Sequence, residues 1–368
     1  MPALLVLIAL TLVAGGCKTL AGERHTGVII ARRAQIRSST AIVAADLSEV
    51  LRGDEVEILD SAVVENGERW LLVRAGGDGD ASTEGWIESR NVMPQELLER
   101  SRRLAEEDSN IPAQATGQLR AATNLRFSPD RGGNENILLK LESGSSFEII
   151  GWKRVPKPKS TEATESDDAP KAGSAPLDNT RRRGESQAAK APEEANELWY
   201  KVRLPPSTSP APAGWAFGKQ VELTVPSDII FYRTGREFVA WQRLEDVEAR
   251  GATTEGKGET KEFQPGSWVI LEKGASEEPG AVEEADFDRI YVLGYDKTRR
   301  EHYTAYRSRD IHGRLPLRVE GSGDAKFFSV RAAEGAEIKE YKFKAQKDDR
   351  GHLRIEPQME LPSSPKKK

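Results

Sequence analysis

The chain has 368 residues, a length that allows two or three domains. Charged residues make up 31% of it and the formal net charge is −5, so it lacks the basic excess of a nucleic-acid-binding protein and no nucleic acid is expected as a partner. Its apolar share of 37% favours small domains with polar linkers over one large body.

The first predicted element is a signal peptide over residues 1–17. An apolar stretch from Ala3 to Val13 is too short to span a bilayer, which takes about 20 residues, and it suits the apolar part of a signal peptide. Cys17, the only cysteine, follows two glycines, and this resembles the bacterial lipoprotein signal in which the cysteine becomes the lipidated N terminus. A signal cleaved without lipidation and an uncleaved anchor are the alternatives. By the same resemblance, Lys18 favours the periplasmic face of the outer membrane.

A pattern of residues occurs twice in the next part of the chain. Trp70 and Trp86 have the same spacing as Trp199 and Trp215, and each second tryptophan follows a glycine. The matching segments are 34–39 with 123–128, 51–59 with 142–150, and 67–87 with 196–216. Because the order of the segments is kept, the sequence predicts a duplicated β-module, at 27–93 and 117–225.

Two further segments lie between and within these repeats. Pro94 begins a predicted helical linker at 94–110, about three turns long and solvated on all sides. Residues 153–197 contain no aromatic side chain and are predicted to be a disordered insertion in a hairpin of the second repeat. A small barrel tolerates such an insertion because closing a long loop costs little more free energy than closing a short one.

Short β-rich runs separated by Gly-rich and Glu-rich loops fill residues 227–360, among them FVAWQRL, GSWVILEKG and DRIYVLGYD. They predict a C-terminal antiparallel β domain, either a sandwich or a barrel. Residues 361–368 are predicted to be a disordered basic tail. The expected fold class is therefore all-β.

The repeats carry a recognisable set of residues. The second has Asn124, Leu125, Arg126, Ser128, Pro129, Gly144, Phe147, Ile149, the run Trp199, Tyr200, Lys201, Val202, Arg203, and then Gly214 and Trp215. The first has Ile36, Arg37, Ser38, Gly53, Val56, Ile58, Trp70, Val73, Arg74, Gly85 and Trp86. Both resemble bacterial SH3 (SH3b) domains, although the first repeat lacks the Asn and the Gly-Pro turn of that family. The resemblance implies two small SH3-like barrels joined by a short helix, and it does not reach the C-terminal third.

SH3b domains often accompany cell-wall hydrolases, but the sequence has no catalytic constellation of that kind. A cysteine peptidase of the NlpC/P60 type needs a Cys nucleophile, and Cys17 lies at the signal junction. The histidines have no metal-ligand spacing, although His302 and His312 could converge in a β fold. No enzyme activity, cofactor or metal is therefore predicted. An active site within residues 227–368 is an alternative without a sequence feature to support it.

The first functional hypothesis is a non-catalytic, lipid-anchored protein of the cell envelope whose paired SH3b domains bind peptidoglycan peptide or polymer. Two linked modules would raise avidity. The candidate contacts are aromatic residues near the variable loops, each of which could instead pack in a core: Phe127, Trp152, Tyr200 and Phe217. The repeat tryptophans Trp70, Trp86, Trp199 and Trp215 are expected in the cores.

The second hypothesis is an envelope protein–protein scaffold. Its partner site would lie on the C-terminal β domain, with the SH3b pair as a spacer. Four tyrosines give that domain candidate anchors, or else ordinary cross-strand pairs: Tyr291, Tyr295, Tyr303 and Tyr306.

Overall fold

The computed structural model describes residues 25–76, 82–157, 196–233, 235–245, 265–274, 284–323 and 326–362. Cys17 and the signal segment, most of the predicted insertion and all but the first two residues of the predicted basic tail lie outside these ranges. The described residues form 22 strands in four antiparallel sheets, together with one α-helix. The all-β prediction is confirmed.

The first repeat forms a seven-stranded sheet. Its strands are β1 (His25–Ile29), β2 (Arg33–Arg37), β3 (Asp46–Leu51), β4 (Glu55–Val63), β5 (Arg69–Ala75), β6 (Thr83–Glu88) and β7 (Val92–Pro94). They lie in the order β3-β2-β6-β5-β4-β1-β7. Alternate residues of β2 and β6 point inward, so that Ile36 and Ile87 join Ile29 and Val73 in a small aliphatic core.

The second repeat forms a sheet with the same strand order. Its strands are β8 (Ala115–Leu119), β9 (Thr123–Arg126), β10 (Ile137–Leu141), β11 (Ser146–Pro156), β12 (Asn196–Arg203), β13 (Ala213–Phe217) and β14 (Val221–Leu223). They lie in the order β10-β9-β13-β12-β11-β8-β14, so each strand takes the place of the strand seven earlier. A 3₁₀ turn precedes the last strand of both sheets, at Ser89–Asn91 and Gly218–Gln220. Duplication of one module accounts for this match.

The glycine before the second tryptophan of each repeat allows a close approach between strands. A Cβ atom on Gly85 would lie 2.6 Å from the carbonyl oxygen of Arg37, and one on Gly214 would lie 2.5 Å from Cγ of Leu125. A side chain at Gly85 would clash with the backbone of β2, and one at Gly214 would have to displace Leu125, so glycine allows the close packing at both positions.

The repeat tryptophans divide into two pairs. Trp70 and Trp199 are buried, as expected of core residues, whereas Trp86 and Trp215 are only half-buried. The core expectation is therefore wrong for the second tryptophan of each repeat. Both half-buried residues lie on the outer face of their sheets, where Trp215 pairs with Lys201.

Helix α1 (Gln95–Glu107) joins the two barrels and is packed against the protein. Leu98, Ser101 and Leu104 are buried along one face. The Ser101 hydroxyl donates to the carbonyl oxygen of Ala213 at 2.6 Å and accepts from its amide nitrogen at 3.0 Å. The prediction of a helix solvated on all sides is wrong, because this face lies against β13.

The C-terminal region is a sandwich of two four-stranded sheets. One has β15 (Glu237–Arg243), β16 (Trp268–Lys273), β17 (Arg289–Asp296) and β18 (Glu301–Arg307), in that order. The other has β19 (Gly313–Glu320), β20 (Lys326–Glu334), β21 (Glu337–Lys347) and β22 (Leu353–Pro357), in that order. Their facing sides share one core, in which the rings of Phe328 and Phe343 stack at 4.6 Å. Of the two arrangements left open by the sequence, the sandwich is the one found.

The sheet β15–β18 is buried on its other side as well. Several of its side chains belong to the hydrophobic cluster of the second barrel: Phe238, Trp241, Trp268, Ile270, Tyr291 and Leu293. The second barrel and the sandwich therefore share apolar surface at the junction between them.

Candidate functional site

The four aromatic residues predicted to touch a ligand do not form one site. Trp152 pairs with Tyr200 across β11 and β12, and their rings meet edge to face at 6.2 Å. Phe217 pairs with Trp199, the neighbour of Tyr200, and therefore lies on the opposite face of the sheet.

Trp152 and Tyr200 lie where the second barrel meets the sandwich. The indole nitrogen of Trp152 donates to Oδ1 of Asp286 at 2.9 Å, and Trp152 packs against the sandwich core. Burial, with a smaller contribution from Glu237, raises the pKa of Tyr200 to about 12. Both side chains therefore serve the contact between the two modules.

Phe127 and Phe217 are covered by arginines of the same chain. The Arg131 guanidinium lies 4.0 Å from the Phe217 ring centroid, and the Arg100 guanidinium of α1 lies 4.2 Å from that of Phe127. Arg131 is held by an ion pair with Glu197 at 3.1 Å. In each ring, the face that the guanidinium covers is therefore not available for stacking on a ligand.

A cleft of about 510 Å³ opens between the second barrel, the segment that follows it and both sheets of the sandwich. The barrel and connecting segment contribute Ala113, Ala115, Thr116 and Pro226, and the sandwich contributes Trp241, Gln242, Arg243, Glu245, Trp268, Val319, Gly321 and Lys326. A volume of this size lies within the range of about 300–1,000 Å³ that is usual for small-ligand sites.

Gln114, next to the cleft, connects the barrel to both sheets of the sandwich through hydrogen bonds. The Gln114 side chain is fully buried. Its Nε2 donates to the Leu317 carbonyl at 3.0 Å, and its Oε1 accepts from the Leu317 amide at 2.6 Å. Its own carbonyl accepts from the amide of Trp241 at 2.8 Å. Gln242 donates to the same Leu317 oxygen at 2.8 Å. The entry to β8 is thereby joined to β15 and β19, the edge strands of both sandwich sheets.

A buried polar group holds Trp268 in place. The Trp268 indole nitrogen donates to Oδ2 of Asp228 at 2.9 Å. Behind it, Nε2 of His302 lies 2.8 Å from the Gly266 carbonyl and 3.8 Å from Oδ2 of Asp228, and both side chains are 5% exposed. Asp228 lies in the segment between barrel and sandwich, so this group ties that segment to the cleft wall.

Arg243 is the cation on the same wall. It pairs with Trp268 across β15 and β16, and its guanidinium lies 5.9 Å from the indole centroid. It donates to the Pro265 carbonyl at 3.2 Å, while its Nε is buried without a hydrogen bond. Lys326 adds a second cation, and Glu245, which accepts from the Ser267 hydroxyl at 3.2 Å, adds one carboxylate. The formal charge of the lining is therefore positive.

His302 and His312 do not converge. His302 contacts the Gly266 carbonyl, whereas His312 lies 3.5 Å from the guanidinium of Arg314. Over the ranges that the structure describes, no group of three or more His, Cys, Asp or Glu side chains is placed to hold a metal ion.

The four tyrosines proposed as anchors contact other side chains or backbone of the sandwich. Tyr291 lies under the Arg307 guanidinium at 4.1 Å, Tyr295 packs on His302, and Tyr306 packs on Phe343. The Tyr303 hydroxyl accepts from the amide of Leu353 at 2.5 Å and so connects β18 to β22. They do not share one exposed surface.

The cleft residues were missed by reasoning from the repeats. The sequence did contain a signal for the cleft. Five of the seven tryptophans fall in the repeats, and the two that the repeats do not explain are Trp241 and Trp268. Both line the cleft, together with Arg243, which lies two residues after Trp241 and hence on the same side of β15.

Comparison with known proteins places the chain in no family. No protein-family model matches it, and no curated protein matches it. Among solved structures, NlpC1 from Trichomonas vaginalis is similar at 8% identity, over 94% of this chain and 92% of that chain, with a TM-score of 0.15. A TM-score this low carries no weight for fold or function. In the described part of the chain, no helix has the length and apolar character needed to cross a membrane.

Proposed function

We propose that this protein is a non-catalytic, lipid-anchored binding protein of the cell envelope. Its ligand is a peptide or polymer of the cell wall, held in the cleft between the second SH3b-like barrel and the sandwich. The observation that carries the proposal is the cleft itself, which combines a volume of about 510 Å³, two tryptophans and a positive lining.

The sequence supports the anchor and argues against a cysteine nucleophile. Cys17 occupies the lipidation position of a lipoprotein-type signal, so no cysteine remains to act as a nucleophile. Residues 18–24 separate it from β1, and an extended chain of seven residues reaches about 25 Å at most. The first barrel then lies close to the bilayer, and it serves as a spacer for the cleft.

The test is co-sedimentation of residues 18–368 with purified peptidoglycan sacculi. Thr116 is an exposed residue of β8 that lines the cleft, so Thr116→Trp fills the cleft from an accessible position. Gln118→Trp is the matched control, because Gln118 is exposed on the same strand and face but lies outside the cleft. We expect wild type and Gln118→Trp to pellet and Thr116→Trp to stay in solution. The proposal fails if wild type does not pellet or if Thr116→Trp pellets like the control.

A second candidate function is an envelope protein scaffold, and a loop of the first barrel favours it. Ile42 and Val43 are 94% and 92% exposed at the tip of the β2–β3 loop. The Arg37 guanidinium holds this loop by donating to the carbonyls of Ile42 at 2.7 Å and Ala44 at 3.2 Å. Two adjacent exposed aliphatic side chains on a loop held in this way favour contact with a protein partner. Photo-crosslinking from position 43 in intact cells tests it, and recovery of no crosslinked protein argues against the scaffold.

A further inference from the structure

We propose that the cleft recognises the terminal carboxylate of a peptide through the guanidinium of Arg243. That the peptide comes from the cell wall rests on the proposed function. That its carboxylate is recognised rests on the charge and geometry of the cleft.

Among the residues that the structure describes, Arg243 has no carboxylate partner, unlike other arginines of this region. Arg154, Arg236 and Arg289 each lie within ion-pair distance of a carboxylate. Arg243 is half-buried, and no carboxylate among the described residues lies within that distance of it. A half-buried cation without a counter-ion is unfavourable, and an anionic ligand relieves this.

The guanidinium is also held in one orientation. A Cβ atom on Gly266 would lie 2.5 Å from Nε of Arg243, so the backbone there covers one edge of the group. Nη2 donates one hydrogen bond to the Pro265 carbonyl, and Nε is buried without a partner among the described residues. Of the five N–H donors of an arginine, those at the far end of the fork remain for a ligand, and two parallel donors match the two oxygens of a carboxylate.

The neighbours of Arg243 suit a peptide that ends there. Trp241 and Arg243 lie two residues apart on β15, hence about 7 Å apart, which is also the two-residue repeat of an extended peptide. A peptide that runs along β15 from a carboxylate at Arg243 would have its preceding residues beside Trp241. Lys326 adds positive charge, and Glu245 on the other side of Arg243 repels a second carboxylate.

The experiment is calorimetric titration of residues 18–368 with a synthetic wall stem tetrapeptide and with the same peptide as its C-terminal amide. We expect the acid to bind at least about tenfold more tightly than the amide, because a charged carboxylate accepts a stronger hydrogen bond from the guanidinium than a neutral amide does. Arg243→Gln should bind both peptides alike, at the weaker level. Arg331→Gln, which removes an exposed arginine of β20 outside the cleft, should keep the wild-type preference.

Arg243→Lys guards against a folding defect in Arg243→Gln, since it keeps the charge and removes the fork. It should keep the thermal midpoint and lose most of the preference for the acid. Equal binding of acid and amide by wild type, binding of neither, or an unchanged preference in both Arg243 variants would overturn the proposal. If sacculi pellet while wild type shows no preference, wall binding stands and the role of Arg243 fails. If sacculi do not pellet but the tetrapeptide binds with the expected preference for its acid form, the role of Arg243 stands and the assignment of the intact wall as ligand fails.

Discussion

At the residue scale, Glu272 is the side chain whose chemistry fits its surroundings least. It is fully buried on β16, and neither of its carboxylate oxygens accepts a hydrogen bond. The nearest cation is Arg307, whose Nη2 lies 3.8 Å from Oε1. Burial raises the pKa of Glu272, and the arginines around it offset only part of this effect. A buried charge of this kind lowers stability when it is ionised.

We therefore expect Glu272→Gln to stabilise the protein at neutral pH. Because the folded-state pKa lies above that of the unfolded chain, the contribution of Glu272 to stability is present below the unfolded pKa and is lost as pH rises through the folded pKa. Gln has nearly the same shape and does not ionise, so the variant does not lose this stability as the pH rises. When thermal unfolding is measured at a series of pH values from acid to neutral, the midpoint of the variant should rise relative to that of wild type by a few degrees as pH rises.

The control for this change is Glu337→Gln, at the exposed start of β21. It should leave the midpoint unchanged across the same pH range. A Glu272→Gln protein that is less stable than wild type at every pH would mean that the pair with Arg307 stabilises the fold, and that the raised pKa is not the controlling effect.

At the scale of elements, the strands could be predicted and the contacts between elements could not. Alternation of apolar and polar residues in RAQIR marks β2, because this strand has one face inside a barrel. For α1 the pattern was incomplete, since Ser101 lies between Leu98 and Leu104 on the buried face. A serine reads as a solvated position until the backbone of Ala213, far along the chain, is known to supply both of its hydrogen bonds.

The hairpin β11–β12 allows a direct test of the predicted insertion. Its two strands are paired continuously to Pro156 and Asn196, so a short turn can connect them. Replacing residues 158–195 by four Gly and Ser residues should leave the thermal midpoint unchanged or slightly raised, because shortening the loop lowers its closure cost by about 2 kcal/mol or less. Scanning calorimetry measures this. A Gly-Ser segment of the original length is the control, and a fall in the midpoint for both variants would show that the native segment packs on the barrel.

At the scale of the whole molecule, the duplication could be read from the sequence and the cleft could not. Equal spacing of the tryptophans and glycines was enough to predict two matching modules, because the strands of each module pair within their own repeat. The cleft instead depends on Gln114 and Leu317, which are 203 positions apart. Neither residue type suggests a pairing, and the C-terminal third resembles no family whose architecture would have supplied it. The site could therefore be predicted only as far as the individual strands that carry Trp241, Arg243 and Trp268.

Gln114 is thus the side chain on which the joint between barrel and sandwich depends, and Gln114→Ala is the change that tests it. The substitution leaves the buried amide of Leu317 without an acceptor, which costs about 1–3 kcal/mol. We expect a lower thermal midpoint and faster proteolysis in the segment that connects the barrel to the sandwich, while the two modules keep their own cores. Gln118→Ala, an exposed change four residues along, is the matched control. If the two variants have the same midpoint and the same cleavage rate, the joint is held by the shared apolar surface alone, and the cleft does not need Gln114 to keep its shape.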